Sequence, residues 1–166
     1  MGSITAKQII DKAEIQLSDI NAVRWTRSEL LEWINDAQRV IIMVAPNSSN
    51  YVISVKMVAG TLQSTPDDGW TLLDVYRNMG SDGNTPGRAI RVISKELLDS
   101  FNPDWHTDTP VAQVKNAVYD IQNQTQFWVY PPSDGTGYVQ INYAKLPVPC
   151  VAETDAIYVN DILQTT

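Results

Sequence analysis

Two amphipathic helices are predicted at the start of the chain from the spacing of its apolar residues. In the first, apolar residues recur at helical spacing over residues 6–17. In the second, they recur over residues 30–44, and Pro46 ends the pattern because proline cannot continue a helix. Residues 40–44 are all apolar, so this end of the helix has no polar side. It is predicted to be a core element or half of a subunit interface.

Both predicted helices begin with a capping box, in which a Thr or Ser pairs with a Glu or Gln three residues later. The pairs here are Thr5 with Gln8 and Thr26 with Glu29. A hydrophobic staple flanks each box, formed by Ile4 with Ile9 and by Trp25 with Leu30. We therefore predict that residues 27–44 form one continuous helix that lies against the first.

The pattern changes after Pro46 to short alternating stretches rich in β-branched and aromatic residues, which are typical of strands. Strands are predicted over residues 51–58, 70–77, 88–93, 114–121, 126–130 and 138–144. The last three are expected to form an antiparallel meander with turns at 122–125 and 131–137. Composition indicates a turn at 65–69 and a loop at 80–87, while Ser94 is expected to cap a short helix over 95–101.

A last helix is predicted to begin near Thr154 and Asp155, with Ile157, Ile162 and Leu163 on one side. The order of elements predicts an α+β fold: an N-terminal helical pair packed with a β-rich middle region and the start of a C-terminal helix. We expect one domain over residues 1–166. Its helical part would cover about 3–46 and 154–166, and a β-rich insertion about 50–147.

The predicted strand 126–130 is apolar on both faces, because Trp128 points away from Phe127 and Val129. One face is expected to be covered by the chain's own core and the other by another subunit. The predicted interface residues are Val40, Ile41, Val44, Trp128 and Tyr130. Identical chains that meet through such patches would join one patch to a different patch on the next copy, and the 80–87 loop is expected to be exposed.

Composition excludes several classes of protein. With 166 residues, 43% hydrophobic and 19% charged, the chain is expected to fold as a globular protein. A formal net charge of −7 disfavours ordinary nucleic-acid binding, which depends on cations that displace counterions. No apolar run reaches the roughly 20 residues that span a bilayer, and no signal peptide is recognisable, so a soluble intracellular product is expected. One Cys and one His exclude a zinc site built from those ligands within a single chain.

Catalytic motifs are missing from the sequence, so no enzyme, metal or cofactor is expected. His106 lies near Asp104 and Asp108 and would need a Ser or Thr nucleophile to act in catalysis, but a role in stabilising a turn is favoured. Asp67 and Asp68 are expected in a solvated turn, which does not raise a carboxyl pKa.

Five segments together resemble the head-to-tail adaptor (connector, or tail-tubular-A-like) proteins of short-tailed bacteriophages. These segments cover residues 24–38, 72–80, 87–91, 98–106 and 127–132. The longest begins Arg-Trp-Thr-Arg-Ser-Glu-Leu-Leu-Glu-Trp, and the last reads Phe-Trp-Val-Tyr-Pro-Pro. Family members continue past the segment that corresponds to residues 157–163 into a long helix and tail.

The resemblance implies a structural virion protein that forms a dodecameric ring beneath the portal. Its expected partners are the portal protein, a tail nozzle or tail tube protein and its own copies. Double-stranded DNA would be cargo passing through the channel, and no membrane, cofactor or catalysis is implied. Two alternatives follow from the residues: a carbohydrate- or receptor-binding tail module, which needs coplanar exposed aromatic rings, and a small hydrolase, which needs a nucleophile beside His106.

Overall fold

The computed structural model describes residues 4–119 and 122–159. Its helices are α1 (Ala6–Gln16), α2 (Arg27–Val44) and α3 (Lys95–Phe101), with 3-10 turns at Pro46–Ser49 and Trp105–Thr107. Its strands are β1 (Asn50–Lys56), β2 (Gly60–Ser64), β3 (Gly69–Asn78), β4 (Arg91–Val92), β5 (Asn116–Tyr119), β6 (Gln126–Ser133) and β7 (Tyr138–Lys145). The α+β class predicted from the sequence is confirmed.

The predicted start of α2 is confirmed in its hydrogen bonds. The Thr26 hydroxyl accepts from the Glu29 amide at 3.4 Å, and the Thr26 amide donates to the Glu29 carboxylate at 3.0 Å. These bonds satisfy amides that have no partner within the helix. Trp25 is half-buried, and its ring centroid lies 5.1 Å from that of Trp33. The continuous helix that follows begins and ends at the predicted residues.

The chain divides into two compact units. One comprises the described residues of Met1–Ser49 and Leu146–Thr166, and we call it the helical unit. The other, the sheet unit, comprises Asn50–Lys145 and contains all seven described strands and α3. The sheet unit is therefore inserted between α2 and the segment that returns to the helical unit.

The returning segment, residues 146–159, completes the core of the helical unit. Ala6, Cys150 and Ile157 are buried together, and Ile9, Leu31 and Ile34 pack against them. Residues 154–159 are not helical, contrary to the prediction of a last helix, and residues 160–166 lie outside the described part. The physical reason is backbone pairing: the Asp155 carbonyl accepts from the Ala6 amide, and the Ile157 amide donates to the Ile4 carbonyl, both at 3.0 Å.

Two sheets pack face to face in the sheet unit. Their strand orders are β1-β7-β3 and β2-β6-β5-β4. The core between them takes side chains from both, and its buried members include Leu72, Val75, Ala117, Phe127, Val129, Val139, Ile141 and Tyr143. This arrangement buries side chains on one face of β6 and β7, whereas β1 contributes the partly buried Ile53 and Val55.

The predicted meander is correct for β5 and β6 and wrong for β7. β5 pairs with β6 in antiparallel fashion, but β7 lies between β1 and β3 in the other sheet. β2 and β5 already occupy both edges of β6, so no edge is free for β7. β6 also continues to Ser133, and the Pro132 carbonyl accepts from the Val111 amide at 2.8 Å, so the turn predicted at 131–137 is shorter.

Two further strand predictions differ from the structure. β2 was not predicted, and the strand expected at 88–93 is reduced to β4, which pairs in parallel with β5.

The 80–87 loop is mostly exposed but internally fixed, because the Asp82 carboxylate accepts from the amides of Asn84 and Thr85, both at 3.0 Å. Gly83 in this loop is buried at a φ of 74°, where an added Cβ would lie 3.0 Å from the Tyr138 ring.

Candidate interaction site

The solvent-facing side of α2 carries an apolar row, which we call the outer stripe: Trp33, Ala37, Val40 and Val44. Its residues are spaced by four, three and four positions, so they lie on one face of the helix. Val40 is 57% exposed and Val44 is 81% exposed, whereas Ile42, on the opposite face, is buried. The outer stripe is a surface that a second protein can cover.

A groove between α1 and α2 lies beside the outer stripe. It has a volume of about 320 Å³ and is lined largely by apolar residues, including Ile9, Ala13, Ile34, Ala37 and Ile41. Ile41, one of the predicted interface residues, is half-buried and belongs to this groove. Ala37 belongs to both features, so the apolar surface of the helical unit is continuous from the groove to the outer stripe.

The second predicted patch, on β6, has a different environment. Phe127 and Val129 are buried in the core between the sheets, as expected. Trp128 and Tyr130, on the other face, are half-buried against a second cluster formed by Leu98, Trp105 and Val118. The Trp105 and Tyr130 rings meet edge to face at 6.4 Å. The chain's own α3 and the following 3-10 turn therefore cover the face for which the sequence suggested another subunit.

A network of ion pairs within the helical unit centres on Arg27. Its guanidinium donates to Asp11 at 2.8 Å, to Glu14 at 2.7 Å and to Glu153 at 2.8 Å. The pKa of Glu153 is lowered, chiefly by its hydrogen bond to Arg27, and that of Asp11 is lowered by its bonds to Lys7 and then Arg27. Each acid in this network pairs with Arg27, and Asp11 also pairs with Lys7, so the network joins α1, α2 and the returning segment.

His106 has a hydroxyl within hydrogen-bond distance, which the hydrolase alternative required. The Thr61 Oγ1 and His106 Nδ1 atoms are 2.9 Å apart. Among the hydrogen bonds of the described residues, none joins Asp104 or Asp108 to the imidazole. The Asp108 carboxylate accepts from the Asn102 side chain instead. Both the hydroxyl and the ring are largely accessible to solvent, and the pair lies in none of the described cavities. The pair connects β2 to the 3-10 turn and lacks the third group that orients a catalytic histidine.

Other candidate chemistry is limited in the described residues. Within them, no three His, Cys, Asp or Glu side chains lie close enough to bind a metal ion. Cys150 is buried, and burial raises the pKa of its thiol, so it is held in its unreactive form. Among the residues described, no helix has both the length and the apolar composition needed to cross a membrane.

The aromatic rings do not form the coplanar platform that a carbohydrate-binding module needs. Trp25 and Trp33 are inclined at 57°, and Tyr51 and Tyr143 at 89°. Trp105 stacks on His106 at 28° but is itself fully buried. Within the described residues, these ring pairs serve packing.

Sequence reasoning missed a group of exposed cations on the sheet unit, which we call the basic surface: Arg77, Arg88, Arg91 and Lys115. These residues are separated along the chain and fall on four different elements or loops, so no local charge run reveals them. Strand pairing joins the segments that carry them, and within the described residues none of them forms a salt bridge.

The exposed apolar face of α2 is typical of a surface that another protein covers. The family model of the SU10 adaptor protein matches residues 4–165, nearly the whole chain. The chain therefore belongs to the SU10 adaptor protein family and is a bacteriophage adaptor, a structural component of the virion. No curated protein matches the chain.

Proposed function

We propose that this protein is a head-to-tail adaptor that forms a ring beneath the portal and joins it to the tail. The observation that carries this proposal is the outer stripe of α2 in a chain of the adaptor family. A single chain leaves Val40 and Val44 in water, whereas a neighbouring subunit would remove their apolar surface from it. Residues 40, 41 and 44 are accordingly proposed as interface residues.

The helical and sheet units are proposed to work as one adaptor domain. The helical unit would supply the apolar contact through α2, while the sheet unit would extend the surface available to the portal, the tail nozzle or the next copy. Trp128 and Tyr130 remain proposed interface residues, although α3 already covers much of their face. Double-stranded DNA would pass through the ring as cargo.

A function without catalysis is part of the same proposal. Each carboxylate around Arg27 pairs with a cation of the helical unit. Among the described hydrogen bonds, the imidazole of the Thr61–His106 pair has no carboxylate on its second nitrogen. An acyl-transfer site would also need donors that stabilise a developing oxyanion. These features favour a structural role for His106.

The proposal is tested by mixing the purified protein with portal rings from the same phage and imaging the product by electron microscopy. We expect a ring of additional density on one face of the portal, with the symmetry of the adaptor's own copies. A Val40→Asp/Val44→Asp variant should leave the portal bare, because it places charge in the buried contact. The matched control is Glu32→Gln, an exposed change on the same helix that keeps the outer stripe intact. Bare portals with the unaltered protein would contradict the proposal.

A further inference from the structure

Strand β1 is paired on one side only. Its sheet has the order β1-β7-β3, so no described strand lies on the side of β1 away from β7, which we call the free edge. The seven residues of β1 pair with β7 in one continuous antiparallel register, without a bulge. An unbroken edge strand of this kind presents a row of backbone amides and carbonyls that another strand can bind.

The other edges of the two described sheets are interrupted, as the edges of natural sheets usually are. β2 has a register shift between Gly60 and Leu62, and β4 is only two residues long. β3 has three register shifts, and residues 87–90 cover part of its outer side, where the Ile90 amide donates to the Tyr76 carbonyl at 2.9 Å. Among the described edges, β1 alone keeps a regular ladder.

Hydrogen bonds beside β1 identify the backbone groups that face the free edge. Met57, directly after β1, donates its amide to the Gly137 carbonyl at 3.0 Å, in the register that pairs β1 with β7. Hydrogen-bonded pairs alternate along an antiparallel ladder, so every second residue back from Met57 bonds to β7. The amides and carbonyls of Val52, Ser54 and Lys56 lie between these positions and therefore point to the free edge.

The side chains of β1 show what an added strand would cover. Ile53 and Val55 pack against the core between the two sheets but are only partly buried. Their partners on the central strand β7, Ile141 and Val139, are 0% and 1% exposed. A strand with apolar side chains on this face would complete the burial of Ile53 and Val55, because directly opposed side chains on neighbouring strands pack together.

A second copy of this chain does not fit the free edge well. A ring needs heterologous contacts, and the interrupted edges of β2, β3 and β4 provide no regular ladder to pair with β1. Pairing of β1 with β1 of another copy would be two-fold symmetric and would end at a dimer. Copies with a formal net charge of −7 also repel one another. The free edge therefore fits an extended segment of a different protein.

We propose that the free edge of β1 binds an extended segment of a tail protein, which adds to the sheet as a further strand. The segment would alternate apolar and polar residues, with its apolar side chains beside Ile53 and Val55. This inference rests on the proposed function, in which the outer stripe serves ring formation on the portal. A joining protein needs a separate surface for its second partner, and β1 provides one in the sheet unit.

A proline at the free edge tests this contact. Ser54→Pro removes an amide that does not bond to β7, and proline is tolerated in edge strands where the missing amide would face solvent. Ser54→Thr keeps the amide, suits a strand and is the matched control. Urea unfolding confirms that both variants are folded. Each protein is assembled on portal rings and then mixed with the purified tail nozzle and tail tube proteins of the same phage.

Ser54→Pro should form rings on the portal, but these rings should bind about tenfold less tail protein than rings of the unaltered protein. Ser54→Thr should bind as much as the unaltered protein. Hydrogen exchange is a second measurement, made on the unaltered chain. In the free protein, the amides of Val52 and Ser54 should exchange faster than that of Ile53. Bound tail protein should slow exchange at Val52 and Ser54 about tenfold or more.

Rings of Ser54→Pro that bind tail protein as well as the unaltered rings do would overturn this inference. Unaltered rings that bind no tail protein, or that bind it without slower exchange at Val52 and Ser54, would also overturn it. Amides of Val52 and Ser54 that are already protected in the free protein would show that the free edge is covered. A dimer of the unaltered protein that Ser54→Pro dissociates would assign the edge to a second copy instead.

Failure of the proposed function gives a different result, namely portals that stay bare with the unaltered protein. The tail proteins are then mixed with the adaptor chain alone, and the same comparison of Ser54→Pro with Ser54→Thr decides whether β1 binds them. A folded Ser54→Pro variant that leaves the portal bare, where Ser54→Thr forms rings, would show that β1 serves ring formation and would overturn its assignment to a tail protein.

Discussion

Asn78 and Val114 form a pair of hydrogen bonds inside the sheet unit. The Val114 amide donates to the Asn78 side-chain oxygen at 2.9 Å, and the Asn78 side-chain nitrogen donates to the Val114 carbonyl at 2.8 Å. The same nitrogen donates to the Arg88 carbonyl at 2.9 Å. Asn78 is 1% exposed, so its side chain gives buried backbone groups the hydrogen-bond partners that a neighbouring strand gives elsewhere.

Replacing Asn78 by Ala should destabilise the protein by about 2 to 3 kcal/mol, because the amide and carbonyl of buried Val114 lose their partners, while the Arg88 carbonyl keeps its bond from the Asn78 amide. Asn78→Asp should be at least as harmful, since a carboxylate cannot donate to either carbonyl. Asn116→Ala is a suitable control, because its side chain makes one long bond of 3.5 Å near the surface. Urea unfolding measures all three, and an Asn78→Ala variant as stable as the control would contradict this role.

The Thr26 capping box should contribute measurably to α2. Thr26→Ala is expected to lose about 1 kcal/mol of stability, whereas Thr26→Ser, which keeps the hydroxyl, should lose much less. Thermal unfolding followed by circular dichroism distinguishes the two. Equal losses for both variants would show that the methyl group of Thr26, rather than its hydroxyl, matters.

The ion pairs of Arg27 predict how stability depends on pH. The folded-state pKa values of Asp11 and Glu153 lie below their ordinary values of 3.8 and 4.5. Such groups stabilise the fold above their unfolded-state pKa and lose that contribution as pH falls through their folded-state pKa. The stabilisation by these two carboxylates is therefore complete at pH 7 and begins to fall as the pH drops to about 4.

Arg27→Met should therefore be clearly destabilised at pH 7, with a difference from the unaltered protein that shrinks at pH 3. Urea unfolding at both pH values makes the comparison. Arg39→Met is the control, because its exposed pair with Asp36 should change stability by no more than about 0.5 kcal/mol at either pH. A difference between Arg27→Met and the unaltered protein that is independent of pH would rule out the ionic origin.

Helix positions were predictable from the sequence because their signals are local. Thr26, Glu29 and Pro46 mark the ends of α2 within the sequence itself, and the structure begins and ends the helix accordingly. The position of β7 was not predictable in the same way. The neighbours of β7 depend on pairing between distant parts of the chain, because β2 and β5 already lie on both sides of β6.

The candidate site likewise has a part that the sequence predicts and a part that only the folded chain shows. The exposure of Val40 and Val44 follows from a helix end that is apolar on all sides, which the sequence displays. The covering of Trp128 by Leu98 and Trp105 depends on how α3 folds back over the sheet.

The role of His106 separates a structural protein from an enzyme. We expect His106→Ala and Thr61→Ala each to cost about 1 kcal/mol or less, the value of one exposed hydrogen bond, and to leave head-to-tail joining intact. Chemical unfolding and an assembly assay measure these effects. If His106→Ala abolished function while oligomerisation, stability and fold stayed intact, the structural interpretation of this residue would be wrong.

The most direct test of the adaptor role uses DNA-filled heads that lack this protein, mixed with tail components of the same phage. Adding the protein is predicted to yield heads with attached tails, counted by electron microscopy. The Val40→Asp/Val44→Asp variant should yield at least tenfold fewer, while Glu32→Gln should match the unaltered protein. Heads that acquire tails equally well without the protein would contradict the account.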